Sequence, residues 1–195
     1  MNFLAHLFLS GNDEEVMLGN LLADFLKGKE RKDFSEGIQK GIALHHKIDE
    51  FTDSHLIVEQ SKIRLRPIFS HYSPVVSDVY FDHFLAANFN LYSSANLSKY
   101  TRNCYRILTN HHKIFPQNLR RFIAIMRFEN LLVSYSTIEG MDVVFNRMAK
   151  RTKFNSNLEI ASIELVKNYK LYEEEFFKFF PELIVFSNEE LQKLS

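Results

Sequence analysis

Residues 38–53 read IQKGIALHHKIDEFTD. At about 100° per residue, Ile38, Ile42, His45, Asp49 and Asp53 fall within an arc of roughly 80° on a helix. That spacing is helical and lacks the alternation of a strand, so the segment predicts an amphipathic helix. Its apolar stripe runs directly into a histidine and two carboxylates. Burying unpaired polar groups is costly, so a core-facing stripe turns polar only where those groups meet each other, a cation or water in a cleft.

Outward from this stretch the chain keeps the same period. Its 195 residues include 19 Phe and no Trp, with only 6 Gly and 4 Pro, so turn residues are scarce and periodic segments long. Asn12 with Glu15 predicts a capping-box start to a helix through Val16, Leu18, Leu21, Leu22 and Phe25, with Gly28 as its stop. Ser35 caps the helix carrying residues 38–49. Asp53 or Ser54 restarts the chain as a helix ending near Pro67, so Asp53 reads equally as a cap and as a site acid. Ser73-Pro74 opens a helix through Val75, Val79, Phe81, Leu85 and Ala86. Further helices are predicted over about 96–110, from Pro116 and Asn118 to about Tyr135, from Ser136 and Glu139 to Met148, and from Asn157 to Phe180. Pro181 is expected to break the last of these, and a short helix from Ser187 closes the chain. No segment has the period and β-branched enrichment of a strand. The prediction is all-α: one helical-bundle domain over residues 1–195.

Composition excludes several classes. The 24 basic and 24 acidic residues balance to a formal charge of zero, unlike a general nucleic-acid binder. The one cysteine, Cys104, allows no intrachain disulfide and sits on a helical face with Tyr100, Ile107 and Leu108 as a small buried apolar residue. MNFLAHLFLS lacks the basic n-region and cleavage site of a signal peptide, and no stretch reaches 18 uncharged apolar residues, so the expectation is a cytoplasmic protein with no membrane segment. The sequence contains no GxxxxGK[ST], GxGxxG, HExxH or GxSxG motif.

Ligand-type residues interrupt apolar stripes in three more places. Asp24 sits among Leu21, Leu22 and Phe25, and His6 lies inside NFLAHLFL. In SDVYFDHFLA, Asp82 shares a face with Val75, Val79 and Ala86, Asp78 sits at its edge one turn away, and His83 follows. Singly, such a histidine is usually a hydrogen-bonded core residue and such an aspartate a cap. Together, His6, Asp24, His45, Asp49, Asp78, Asp82 and His83 make a mixed imidazole and carboxylate set suited to Mn, Fe, Zn or Mg, leaning toward Mn or Mg. His46, His55, His71, His111 and His112 lack this context and read as surface or structural. Arg147 and Arg151, four apart, are spaced to hold a phosphate, though each taken singly also reads as part of a solvated helix face. Arg64 with Arg66, and Arg120, Arg121 and Arg127, read more simply as solvated faces, and Glu129 and Asn130 interrupt an otherwise apolar helix.

Four segments in this order and spacing, MNFLAHLFLS (1–10), GNLLADFLKG (19–28), GIALHHKIDEFTD (41–53) and SDVYFDHFLA (77–86), resemble the acyl carrier protein phosphodiesterase family. The resemblance continues more weakly through MAKR (148–151). It implies an HD-like, all-helical metal-dependent phosphohydrolase, although the adjacent His-Asp pair of the usual HD signature is missing. The implied reaction hydrolyses the phosphodiester joining 4'-phosphopantetheine to acyl carrier protein, with Mn²⁺ as the first expectation and Mg²⁺ or Fe²⁺ as alternatives. On that resemblance and the interrupted stripes, His6, Asp24, His45 and Asp78 are expected to ligate metal. Asp49, Asp82 and His83 are expected to orient ligands or transfer protons, and Arg147 or Arg151 to hold phosphate. Two other readings stand beside this one: a phosphohydrolase acting on a nucleotide or other small phosphodiester, and a non-enzymatic helical interaction protein.

Overall fold

Helix α3, Glu36–Ser54, carries the whole 38–53 stripe, burying Ile38, Gly41, Ile42, Leu44, His45, Ile48 and Thr52. In the computed structural model, which describes residues 1–26 and 33–194, it is preceded by α1 (Phe3–Leu9), α2 (Glu14–Leu22) and a 3-10 turn, Ala23–Phe25. It is followed by α4 (Leu56–Phe69), α5 (Ser73–Ala87), α6 (Leu97–Asn110), α7 (Gln117–Phe128), α8 (Leu131–Ser134), α9 (Ile138–Ala149), α10 (Ala161–Lys167) and α11 (Tyr169–Lys193). Among the described residues there is no strand, so the all-α expectation holds. Gly28, the expected stop after α2, lies outside the described residues.

The sequence of α5 explains its place at the centre. Val76 and Ser77 and every residue from Val79 to Ala86 are buried, so the helix is enclosed on all sides. It packs against α1, α4 and α11. Helices α2 and α3 lie along each other through two glycines. A Cβ on Gly19 would run into the Ile38 carbonyl, and one on Gly41 would run into the Val16 carbonyl and the Asn20 nitrogen. Only residues without a side chain allow this approach, which sets Asn20 of α2 beside His45 of α3.

Several predicted boundaries move for physical reasons. The cap of α2 is Asp13, whose carboxylate accepts from Glu15 and Val16, rather than Asn12. Ser35 is the N-cap residue of α3, as expected, but its hydroxyl donates to Glu15 and accepts nothing from the helix. Asp53 caps nothing: it lies within α3 and binds Lys62 Nζ at 2.7 Å, while the His55 imidazole accepts the Ile57 N–H at the start of α4. Tyr72 is the N-cap of α5, with Ser73 its first residue. The helix expected to reach Tyr135 ends at Phe128, because Asn130 adopts a left-handed conformation (φ 49°) that starts α8 in a new direction. Thr137, not Ser136, caps α9. The 157–180 segment divides at Asn168, and α11 then passes through Pro181 without ending. A proline inside a helix removes one backbone bond. Here the burial of Phe176, Phe179, Phe180 and Leu183 on either side of it holds the helix together.

No helix among the described residues is long and apolar enough to cross a membrane.

Candidate metal centre

Each helix delivers its polar residue for a local reason. Helix α1 is short, and its first-turn N–H groups have no partners within the helix. The Asp82 carboxylate, fully buried on α5, accepts Leu4 N–H at 2.8 Å and Ala5 N–H at 3.1 Å. That long-range cap fixes α1, and with it His6, against the central helix. Burial pushes the Asp82 carboxyl up to about 7, against the pull of the two N–H bonds. Helix α3 places His45 and Asp49 one turn apart, and the 3-10 turn after α2 brings in Asp24.

The result is a tight constellation. His6 Nε2 lies 3.2 Å from one Asp49 oxygen, and His45 Nε2 lies 3.1 Å from the other. His45 Nε2 is also 3.2 Å from Asp24. The two imidazoles stack, with centroids 4.2 Å apart and planes inclined by 23°. One donor atom each from His6, His45 and Asp49 falls within a span of 4.8 Å, a fit for a divalent cation with imidazole and carboxylate donors. On their other edges, His6 Nδ1 and His45 Nδ1 meet the same oxygen, Asn20 Oδ1, at 2.8 and 3.2 Å.

The charges follow from burial and neighbours. Burial would lower the His45 imidazole, but hydrogen bonds and charge from Asp24 and Asp49 outweigh it and raise it to about 9. Burial lowers His6, and the charge on His45 adds to the effect, while Asp49 opposes it. Burial acts to raise both carboxyls, yet contact with His45, and for Asp49 also with His6, holds each below its usual value. Without a cation the site therefore carries a proton on His45 between two ionised acids. Because the folded pKa of His45 is raised, its stabilisation is present below pH 6.5 and is lost as the pH climbs to about 9. The shift from 6.5 to about 9 corresponds to roughly 3 kcal/mol, reduced to about 2 because the Asp24 and Asp49 side chains are 49% and 40% exposed. Chelator-treated protein should thus unfold at lower temperature at pH 9 than at pH 6. A flat profile across that interval would contradict the His45 proton.

The constellation opens into a cavity of about 490 Å³. Asp78, Arg147 and Arg151 line it, together with an apolar wall from α7–α9 that includes Phe122, Met126, Leu131 and Met148. The sequence-nominated residues therefore divide. His6, Asp24, His45 and Asp49 meet at one point. Asp78 reaches the cavity but pairs with the Met1 nitrogen at 3.2 Å. Asp82 serves α1. His83 faces away from the cluster, donating through Nδ1 to the Tyr135 carbonyl at 2.7 Å and accepting from the Tyr169 hydroxyl at 3.1 Å. Arg147 is held by Glu129 across the cavity wall. Arg64 is bound to Glu175, Arg66 to Glu59, and Arg120 to the Phe115 and Lys113 carbonyls. Asn20 is the site residue that sequence reasoning passed over. Its signal was available: a carboxamide inside an apolar helix, one turn before Asp24.

A family model described as acyl carrier protein phosphodiesterase matches residues 1–183. The chain belongs to the acyl carrier protein phosphodiesterase family. A curated relative of that name from Escherichia coli is 32% identical over 191 residues, covering 94% of this chain and 96% of its own length. Others from Klebsiella pneumoniae (30% over 188 residues, covering 94% and 96%) and Photorhabdus laumondii (28% over 182, covering 93% and 92%) carry the same name. No solved structure matches the chain. The family motifs quoted from the sequence supply each member of the cluster: His6, Asn20 with Asp24, and His45 with Asp49.

Proposed function

We propose that this chain is a metal-dependent phosphodiesterase that hydrolyses the bond joining 4'-phosphopantetheine to acyl carrier protein. One observation carries the reading: in a chain of this family, His6, His45 and Asp49 converge within 4.8 Å on the floor of a cavity that arginines also line. His6 Nε2, His45 Nε2 and Asp49 would hold the cation, with Asp24 as a further oxygen donor, and Mn²⁺ suits the mixed set. When bound, a divalent ion polarises a phosphoryl oxygen and acidifies water. His45 would have to be neutral to offer Nε2 to a cation, and the ionised Asp24 and Asp49 would balance the cation's charge.

The rest of the cavity positions the substrate. Arg151 holds a non-bridging phosphoryl oxygen, because Arg147 is already neutralised by Glu129. The apolar wall of Phe122, Met126, Leu131 and Met148 receives the arm. Asp82 and His83 act through the fold: one anchors α1, the other ties α5 to Tyr135 and Tyr169. A second groove, lined by Lys99, Arg102, Arg127 and the Glu14-paired Arg106, gives α6 and α7 a basic face that suits an acidic protein substrate. Arg151→Gln should raise KM and lower kcat/KM by about tenfold with little change in metal affinity, the loss of one charge-assisted contact. A parallel loss of metal would place Arg151 in another role.

The test is an intact-mass assay of holo acyl carrier protein with the purified chain, in Mn²⁺ or in EDTA. Loss of the phosphopantetheine mass in Mn²⁺ alone is expected. No loss with the protein folded and metal-loaded would overturn the carrier-protein substrate, and cleavage in EDTA would overturn the metal dependence.

A further inference from the structure

We infer that the Asn20 side chain is a positioning residue that locks His6 and His45 into one tautomer each and so makes them a single chelating pair. The inference rests on the proposed metal-dependent reading and deepens it.

Asn20 is fully buried and all its hydrogen-bonding capacity is used. Its Nδ2 donates to the His6 carbonyl at 2.9 Å and to Ser10 Oγ at 3.0 Å. The Ser10 hydroxyl hydrogen is itself committed to the His6 carbonyl at 2.8 Å, so Ser10 can only accept from Asn20. This chain of bonds decides which way the amide faces: the NH₂ side meets two acceptors, and Oδ1 meets the two rings.

A carboxamide oxygen has two lone pairs and no hydrogen. To satisfy it, both rings must carry hydrogen on Nδ1, His6 at 2.8 Å and His45 at 3.2 Å. With a cation between the rings and Asp49, each neutral ring would then offer its lone pair on Nε2, the atom that faces Asp49. Because both Nδ1 atoms meet Asn20 Oδ1 and both Nε2 atoms meet Asp49, the two stacked rings present Nε2 in the same direction. A lone His usually relies on its own carboxylate or carbonyl partner to set its tautomer. Here one amide serves both, and the glycine-mediated approach of α2 to α3 delivers it.

The experiment has two arms. In wild-type protein with ¹⁵N-labelled histidine and Zn²⁺ as a diamagnetic probe, nitrogen NMR should show hydrogen on Nδ1 and ligation through Nε2 for both His6 and His45. Ligation through Nδ1 on either ring overturns the inference, and this arm needs no variant to fold. In the second arm, Mn²⁺ affinity is measured by calorimetry for wild type and Asn20→Leu, with thermal unfolding as the check on folding. Asn20→Leu, close in shape but without an acceptor, should bind 10–100-fold more weakly, as removal of a histidine's outer partner typically does. Asn20→Leu binding as tightly as wild type overturns the inference and leaves the metal centre intact. A wild type that binds no divalent ion overturns both the inference and the metal-dependent reading.

Discussion

Asp49→Asn should lower phosphodiester hydrolysis by about 10³-fold at saturating substrate while the chain stays folded. The carboxylate touches both imidazoles, through separate oxygens at 3.2 and 3.1 Å, and its charge helps hold a proton on His45 in the metal-free state. The amide keeps the shape but supplies one neutral oxygen and an NH₂ group that would oppose a cation. Losing several kcal/mol of charge stabilisation at phosphorus corresponds to about three decades in rate. The same substitution should move His45 back toward an ordinary imidazole, which NMR titration of the chelated protein would read directly. Activity within tenfold of wild type would remove Asp49 from the proposed ligand set.

Gly41→Ala should be among the most disruptive small substitutions in the fold. The new methyl would overlap the Val16 carbonyl and the Asn20 nitrogen, both backbone atoms that cannot swing aside. Helices α2 and α3 must then part, at a cost of about 3 kcal/mol, the upper range for overpacking. In a chain of this size that lowers the unfolding midpoint by about 6–12 °C. The separation also stretches the 3.2 Å contact between Asn20 and His45, so metal affinity should fall with stability, although Gly41 touches no ligand. An alanine variant with an unchanged midpoint and unchanged metal binding would show that the close approach is not what holds the site.

Much of this was legible in the sequence, and the exceptions share a cause. The 38–53 stripe predicted α3, its helical character and the meeting of His45 with Asp49, because all of that lies within one helix and follows from a 100° step. Asp24 and His6 were found by the same signal, a polar residue breaking an apolar face. Asp82 broke a face too, but its partner is the start of α1, 77–78 residues away, and no local spacing distinguishes a carboxylate that caps a distant helix from one that binds a cation. His83, one step further round α5, was nominated by adjacency alone and turns instead to Tyr135 and Tyr169. Asn20 also breaks an apolar face, but an amide carries no charge, and its role as a shared acceptor appears only when two histidines arrive on its oxygen. Pro181 was read as a breaker because the propensity argument is local, whereas the aromatic burial that carries α11 through it is tertiary.

The most direct measurement of the central claim is anomalous scattering at the manganese edge from crystals grown with Mn²⁺. The account predicts a peak at bonding distance from His6 Nε2, His45 Nε2 and Asp49, with Asp24 beside it. A cavity without such a peak, or manganese seated on Asp78 away from the two histidines, would contradict it.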